Sequence, residues 1–175
     1  MLFRQLVLAL LVSASALAAR AELKTVSYVD ANKYLTTWYQ IARNPLFFEA
    51  NCTCSRQVLG ALPDGKISVY NSCHDTKVEG PVREIRGTAV NENPATNARF
   101  QVDFGLPQKG EYWIIGLDSQ YRYAVVSDPS MKSLYILSTT PTLDAGLYAQ
   151  AVAEAAAQVD TSKLQMTIQT GCTYP

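Results

Sequence analysis

From Ala98 to Phe104 the chain alternates cleanly. Phe100, Val102 and Phe104 fall on one face and Arg99, Gln101 and Asp103 on the other. Period two with one polar face predicts a half-buried strand. The same reading places strands at Tyr34–Arg43, Ser55–Ala61, Lys66–Ser72, Pro81–Val90, Glu111–Leu117, Tyr121–Ser127 and Ser133–Ser138. Turn signals separate them: Asp64-Gly65 within Leu62–Lys66, then Asn91–Asn97, Leu106–Gly110, Asp118-Ser119-Gln120 and Asp128–Lys132. Short strands recurring at roughly 8–15 residues with turns between them predict a sandwich or a barrel.

After the eighth strand the period changes. Thr140–Asp160 is alanine-rich, with Leu147, Tyr148, Ala151, Val152, Ala155 and Val159 along one helical face. Alanine is the best helix former, and Thr142 or Asp144 can cap the start. A long helix after eight strands favours a meander barrel with the helix against its outer wall. Leu164, Met166 and Ile168 then alternate in a short ninth strand.

The first 21 residues carry Arg4, an apolar run from Leu6 to Val12 and the small-x-small step Ala19-Arg20-Ala21. This is the form of a cleaved secretory signal, with Ala16-Leu17-Ala18 an alternative site, and it leaves 22–175 as one domain. The run is shorter than the ~20 residues of a membrane span, and no cysteine stands at the cleavage point. Secretion or export to a periplasm is the expected location. Without Arg4 and Arg20 the 15 Lys+Arg become 13, against 15 Asp+Glu, a net charge of −2. That balance excludes the basic stripe a nucleic-acid binder needs.

An exported chain with four cysteines, Cys52, Cys54, Cys73 and Cys172, is expected to form two disulfides. Three connectivities are open. Pairing about Asp64-Gly65 brings position 54 near 73, which leaves Cys52 for Cys172; closing so long a loop stabilises by about 4–5 kcal/mol in the chain-entropy model. One residue between thiols is a poor zinc spacing, and His74 is the single histidine. The sequence carries no ordered nucleophile, base and acid, and no phosphate-binding glycine loop; His74-Asp75 is the one histidine–carboxylate neighbour pair. No metal, no cofactor and no enzymatic role are expected.

"YLTTWYQIAR", "YWIIGLDSQYRYAVVS" and "LYILSTTPTL" resemble the three signature regions of lipocalins, most closely the bacterial outer-membrane and apolipoprotein D-like branch. The likeness runs from about Asp30 to Pro175. It implies an all-β, eight-stranded up-and-down antiparallel barrel with one C-terminal helix packed outside, closed at one end. It implies that Trp38 plugs that end, and it supports a tail-to-barrel bridge through Cys52–Cys172. Two positions depart from the pattern: Thr36 where glycine is usual, and Thr139 where an arginine or lysine covers the tryptophan. Arg43 and Arg122 are the candidate substitutes.

A barrel of eight strands holds one small ligand. The resemblance implies binding, storage or transport of a small hydrophobe of fatty acid or lysophospholipid type. Alternation selects Phe100, Val102 and Phe104 as lining. The resemblance adds Tyr135, Trp113 and Gln57, with Tyr112 the alternative to Trp113. Phe47 and Phe48 lie side by side in the loop expected at the mouth, where they could touch a membrane, close as a lid or pair in a weak homodimer. The competing classes are an enzyme on the same scaffold and a protein-binding or inhibitor module.

Overall fold

The computed structural model describes residues 22–175, and the expected signal lies outside them. A four-residue helix α1 (Ala31–Tyr34) precedes β1 (Thr37–Arg43), β2 (Cys52–Ala61), β3 (Ile67–Asp75), β4 (Val82–Asn91), β5 (Arg99–Asp103), β6 (Gly110–Leu117), β7 (Tyr123–Ser127) and β8 (Leu134–Ser138). Helix α2 (Ala145–Ala156) and a two-residue β9 (Gln165–Met166) complete the chain. Consecutive strands from β2 to β8 pair antiparallel, and β1 pairs with both β8 and β2, which closes the ring. The expected up-and-down barrel and its outer helix are therefore present.

Turn chemistry fixes the register. In the β2–β3 hairpin Gly65 has φ +81°, a conformation that side chains disfavour. Asp64 Oδ1 accepts from the Lys66 amide at 3.1 Å, and Leu59 consequently faces Val69. Between β6 and β7 the carboxylate of Asp118 accepts from the Gln120 and Arg122 amides and from Arg122 Nε and Nη2, the last two at 2.8 Å. Tyr121 takes φ +61° in this turn, so β7 begins at Tyr123, two residues later than the alternation suggests.

Arg122 holds the Asp118 carboxyl at about 2, below its ordinary 3.8. A depressed folded-state value stabilises the fold above the unfolded-state value, and the contribution is lost as pH falls from about 4 towards 2. Asp118→Asn is expected to cost about 2 kcal/mol at pH 7, the range for hydrogen bonds to a charged group. It should also flatten the acid limb of melting temperature against pH; an unchanged limb would exclude this turn as its source.

Two apolar clusters result. One fills the barrel around Trp38, Leu59, Val69, Phe100, Val102, Ile114, Val126 and Leu137. The other lies outside it, where Ala151, Ala155 and Val159 pack on Ile41, Ile115, Val125, Leu134 and Ile136. Asp144 caps α2 by accepting from the amides of Gly146 and Leu147. The helix comes so close to β6 that a Cβ on Gly116 would collide with the Glu154 carboxylate. Glu154 also accepts from the Tyr123 hydroxyl at 2.8 Å.

Both disulfides form, with a connectivity opposite to the one expected: Cys52 bonds Cys73, and Cys54 bonds Cys172. The cause is a bulge. Pairing shifts by one residue between Thr53 and Arg56, and Cys54 adopts φ +54° there. The extra residue leaves Cys73 to its diagonal neighbour Cys52. Cys54 is turned to the C-terminal tail, where its amide donates to the Ile168 carbonyl at 2.8 Å. The tail fills a real gap. β1 and β2 pair only at Thr37–Tyr39, and beyond them β9 pairs with β1 instead. The Gln169 side-chain amide donates to the carbonyls of both Gln40 and Ser55, bridging the two strands.

Candidate functional site

Trp38 sits on the inner face at the closed end, fully buried, opposite Gln57 of β2. Its indole N–H donates to the Tyr34 carbonyl at 2.9 Å. The Tyr34 ring lies 4.9 Å from it, tilted by 38°. Tyr34, delivered by α1, thus packs directly on the tryptophan. Neither Arg43 nor Arg122 covers the tryptophan: Arg43 is paired with Glu49 and Arg122 with Asp118. The segment before α1 seals the same end, with the Val29 amide on the Thr96 carbonyl and the Asp30 amide on the Tyr121 hydroxyl.

Above this floor lies a cavity of about 280 Å³, a volume that includes the part open to solvent. Its apolar wall comes from Leu35, Leu59, Ile67, Val69, Ala89, Phe100 and Val102. A polar belt crosses it. Tyr112 donates its hydroxyl proton to Gln57 Oε1 at 3.0 Å, so Tyr34 donates to Tyr112 across 2.7 Å. Burial raises the pKa of both phenols, so the belt is uncharged at neutral pH.

Of the six residues named from the sequence, Gln57, Phe100 and Val102 line this cavity. Phe104 and Tyr135 pack on the interior cluster without reaching the cavity wall. Trp113 is a correction. It lies on the outside of β6, against the cluster beneath α2, with the Arg99 guanidinium 4.1 Å from its ring centroid. Tyr112 takes the inward position. β6 is apolar on both faces here, so its parity follows from the pairing of Phe100 with Tyr112. Leu59 and Val69 were readable in principle, since alternation about the Asp64-Gly65 turn pairs them. Tyr34 and Leu35 were not, because nothing local tells that α1 folds beneath the barrel.

Nearer the open end the buried Arg43 and the half-buried Glu49 form an ion pair at 3.3 Å. Arg43 also donates to the carbonyls of Asn44 and Glu49, and the Tyr135 hydroxyl reaches Glu49 Oε1 at 3.4 Å. Burial raises the Glu49 carboxyl despite the arginine. The β1–β2 loop carries a short 3-10 turn, Phe47–Glu49, on which Phe47 is 93% and Phe48 49% exposed, their rings edge to face at 5.3 Å. All four cysteines are oxidised, so no thiolate remains for the metal or nucleophile reading. His74 donates from Nδ1 to the Val78 carbonyl, and Asp75 is paired with Arg83. The two neighbours therefore face different partners, not each other.

A family model described as a lipocalin-like domain matches residues 29–169. Temperature-induced lipocalin-1 of Arabidopsis thaliana is 31% identical over 160 residues, covering 86% of this chain and 84% of that protein. The outer membrane lipoprotein Blc of Escherichia coli K12 is 36% identical over 118 residues, covering 67% and 66%. Among solved structures, insecticyanin of the tobacco hornworm Manduca sexta superimposes with a TM-score of 0.70 at 20% identity, covering 89% of this chain and 90% of that one. The barrel and these matches agree, and the chain belongs to the lipocalin family.

Proposed function

We propose that this protein binds and carries one small hydrophobic ligand, a single acyl chain of the kind found in fatty acids and lysophospholipids, and that it does so as a binding protein and not as a catalyst. The observation that carries this reading is the apolar cavity above Trp38. Its lining is apolar apart from the Tyr34, Tyr112 and Gln57 belt, which favours a plain hydrocarbon chain over a ligand rich in polar groups. Each buried methylene contributes about 0.8 kcal/mol, so about ten supply roughly 8 kcal/mol against the costs of association. Native mass spectrometry on protein purified from its own host tests this: one bound single-chain lipid per protein is expected, and a ligand-free spectrum together with no uptake of a fluorescent fatty acid would overturn it.

Disulfides and the signal-like first residues support an exported location. The exposed Phe47 and Phe48 at the mouth support a transient membrane contact through which the ligand is exchanged. Phe47→Ser with Phe48→Ser is expected to lower co-sedimentation with phosphatidylcholine vesicles several-fold and leave folding intact, because neither ring belongs to a buried cluster. Unchanged sedimentation would remove this loop from the exchange route.

A further inference from the structure

Beside the cavity, next along β2 and β3 from its lining residues, two buried oxygens have no partner among the described residues. Asn71 lies opposite Gln57 and two residues from Val69, both of which line the cavity, so its side chain shares their inner face. Its Oδ1 is buried and has no hydrogen-bond partner among the described residues. Ser55, two residues before Gln57 on the same strand, has a buried Oγ in the same condition. A buried polar atom left unpaired is costly, so two close together beside a cavity point to a ligand that pairs with them. Gln57 Oε1 does not fill this role, since the Tyr112 hydroxyl occupies it.

The charges nearby restrict what that ligand is. Arg43 is committed to Glu49 through its ion pair and to two carbonyls. Arg83 is committed to Asp75 and to the Phe48 carbonyl. A carboxylate placed beside Asn71 would lose its water with neither Arg43 nor Arg83 free to neutralise it. A hydroxyl or amide N–H would meet the acceptor it needs.

We infer that Asn71 is a specificity-determining residue, and that the cavity takes acyl-chain ligands whose head is uncharged and carries a hydrogen-bond donor, such as a long-chain alcohol or a monoacylglycerol, in preference to free carboxylates. The chain runs down past Phe100 and Val102, and the head stops at Asn71. This inference rests on the acyl-carrier reading above.

Displacement of N-phenyl-1-naphthylamine at pH 8 tests it, with dodecanol, monododecanoylglycerol and dodecanoate as competitors. The two uncharged lipids are expected to displace the probe at concentrations about tenfold below dodecanoate, equivalent to about 1.4 kcal/mol. Asn71→Leu should bring the three within about threefold of one another, roughly the 0.6 kcal/mol scatter of a neutral change. Should that variant melt early, Asn71→Asp serves instead: it keeps the acceptor and is expected to weaken dodecanoate further while sparing dodecanol. Equal or tighter binding of dodecanoate by the native protein, or a preference that survives Asn71→Leu, would overturn the assignment of Asn71 and leave the carrier reading standing. Failure of all three lipids to displace the probe would overturn both.

Discussion

Replacing Cys54 and Cys172 together by serine is expected to lower the stability of the fold by about 2–5 kcal/mol. The bridge spans 118 residues of sequence. In the chain-entropy model a loop of that length restricts the unfolded chain by roughly 4.7 kcal/mol. The native state loses as well, because the tail is the third party between β1 and β2. The Thr167 amide on the Ile41 carbonyl, the Cys54 amide on the Ile168 carbonyl and the double donation from Gln169 all depend on the tail staying in place. Removing Cys52–Cys73 spans only 21 residues, and those residues belong to a hairpin already paired along its length, so a loss of about 3 kcal/mol or less is expected. Urea unfolding of the two double variants distinguishes them. A smaller loss from the Cys54/Cys172 variant than from the Cys52/Cys73 variant would show that the tail does not brace the barrel. Peptide mapping without reduction would find the corresponding 54–172 linkage.

Trp38→Ala is expected to destabilise by about 3–5 kcal/mol, the range for truncating a buried aromatic. The indole is fully buried, packs under Tyr34 and donates its one hydrogen bond. For a chain of this size about 3 °C of melting temperature goes with each kcal/mol, so a fall of roughly 9–15 °C should appear in a thermal melt. Trp38→Phe keeps the ring and loses the hydrogen bond, which is worth about 1 kcal/mol. Since Trp38 belongs to the floor and does not line the cavity, ligand affinity measured well below the melting transition should change less than for Asn71→Leu. A Trp38→Ala protein that melts like the native one would remove the plug from the account of why this end is closed.

The barrel itself was legible in the chain because it rests on local rules. Alternation in Arg99–Asp103, the Asp64-Gly65 turn and the alanine-rich helix each depend on neighbours a few residues away. Phe100 and Val102 share one face, as period two predicts, and that face is the inner one; Asp144 caps α2. Where both faces of a strand are apolar the period is silent. β6 is covered by the barrel interior on one side and by α2 on the other, so Trp113 and Tyr112 look alike until Phe100 sets the register.

Distance in the chain decided the rest. A single bulged residue at Cys54 reversed the disulfide connectivity, since one extra residue in a strand moves every later side chain to the other face. The covering of Trp38 by Tyr34, the sealing of the β1–β2 seam by Gln169 and the unpaired oxygens around Gln57 all arise from segments that meet only after the ring closes. Local pattern sets which face of each strand is apolar; packing between remote segments sets which polar atoms on those faces find a partner.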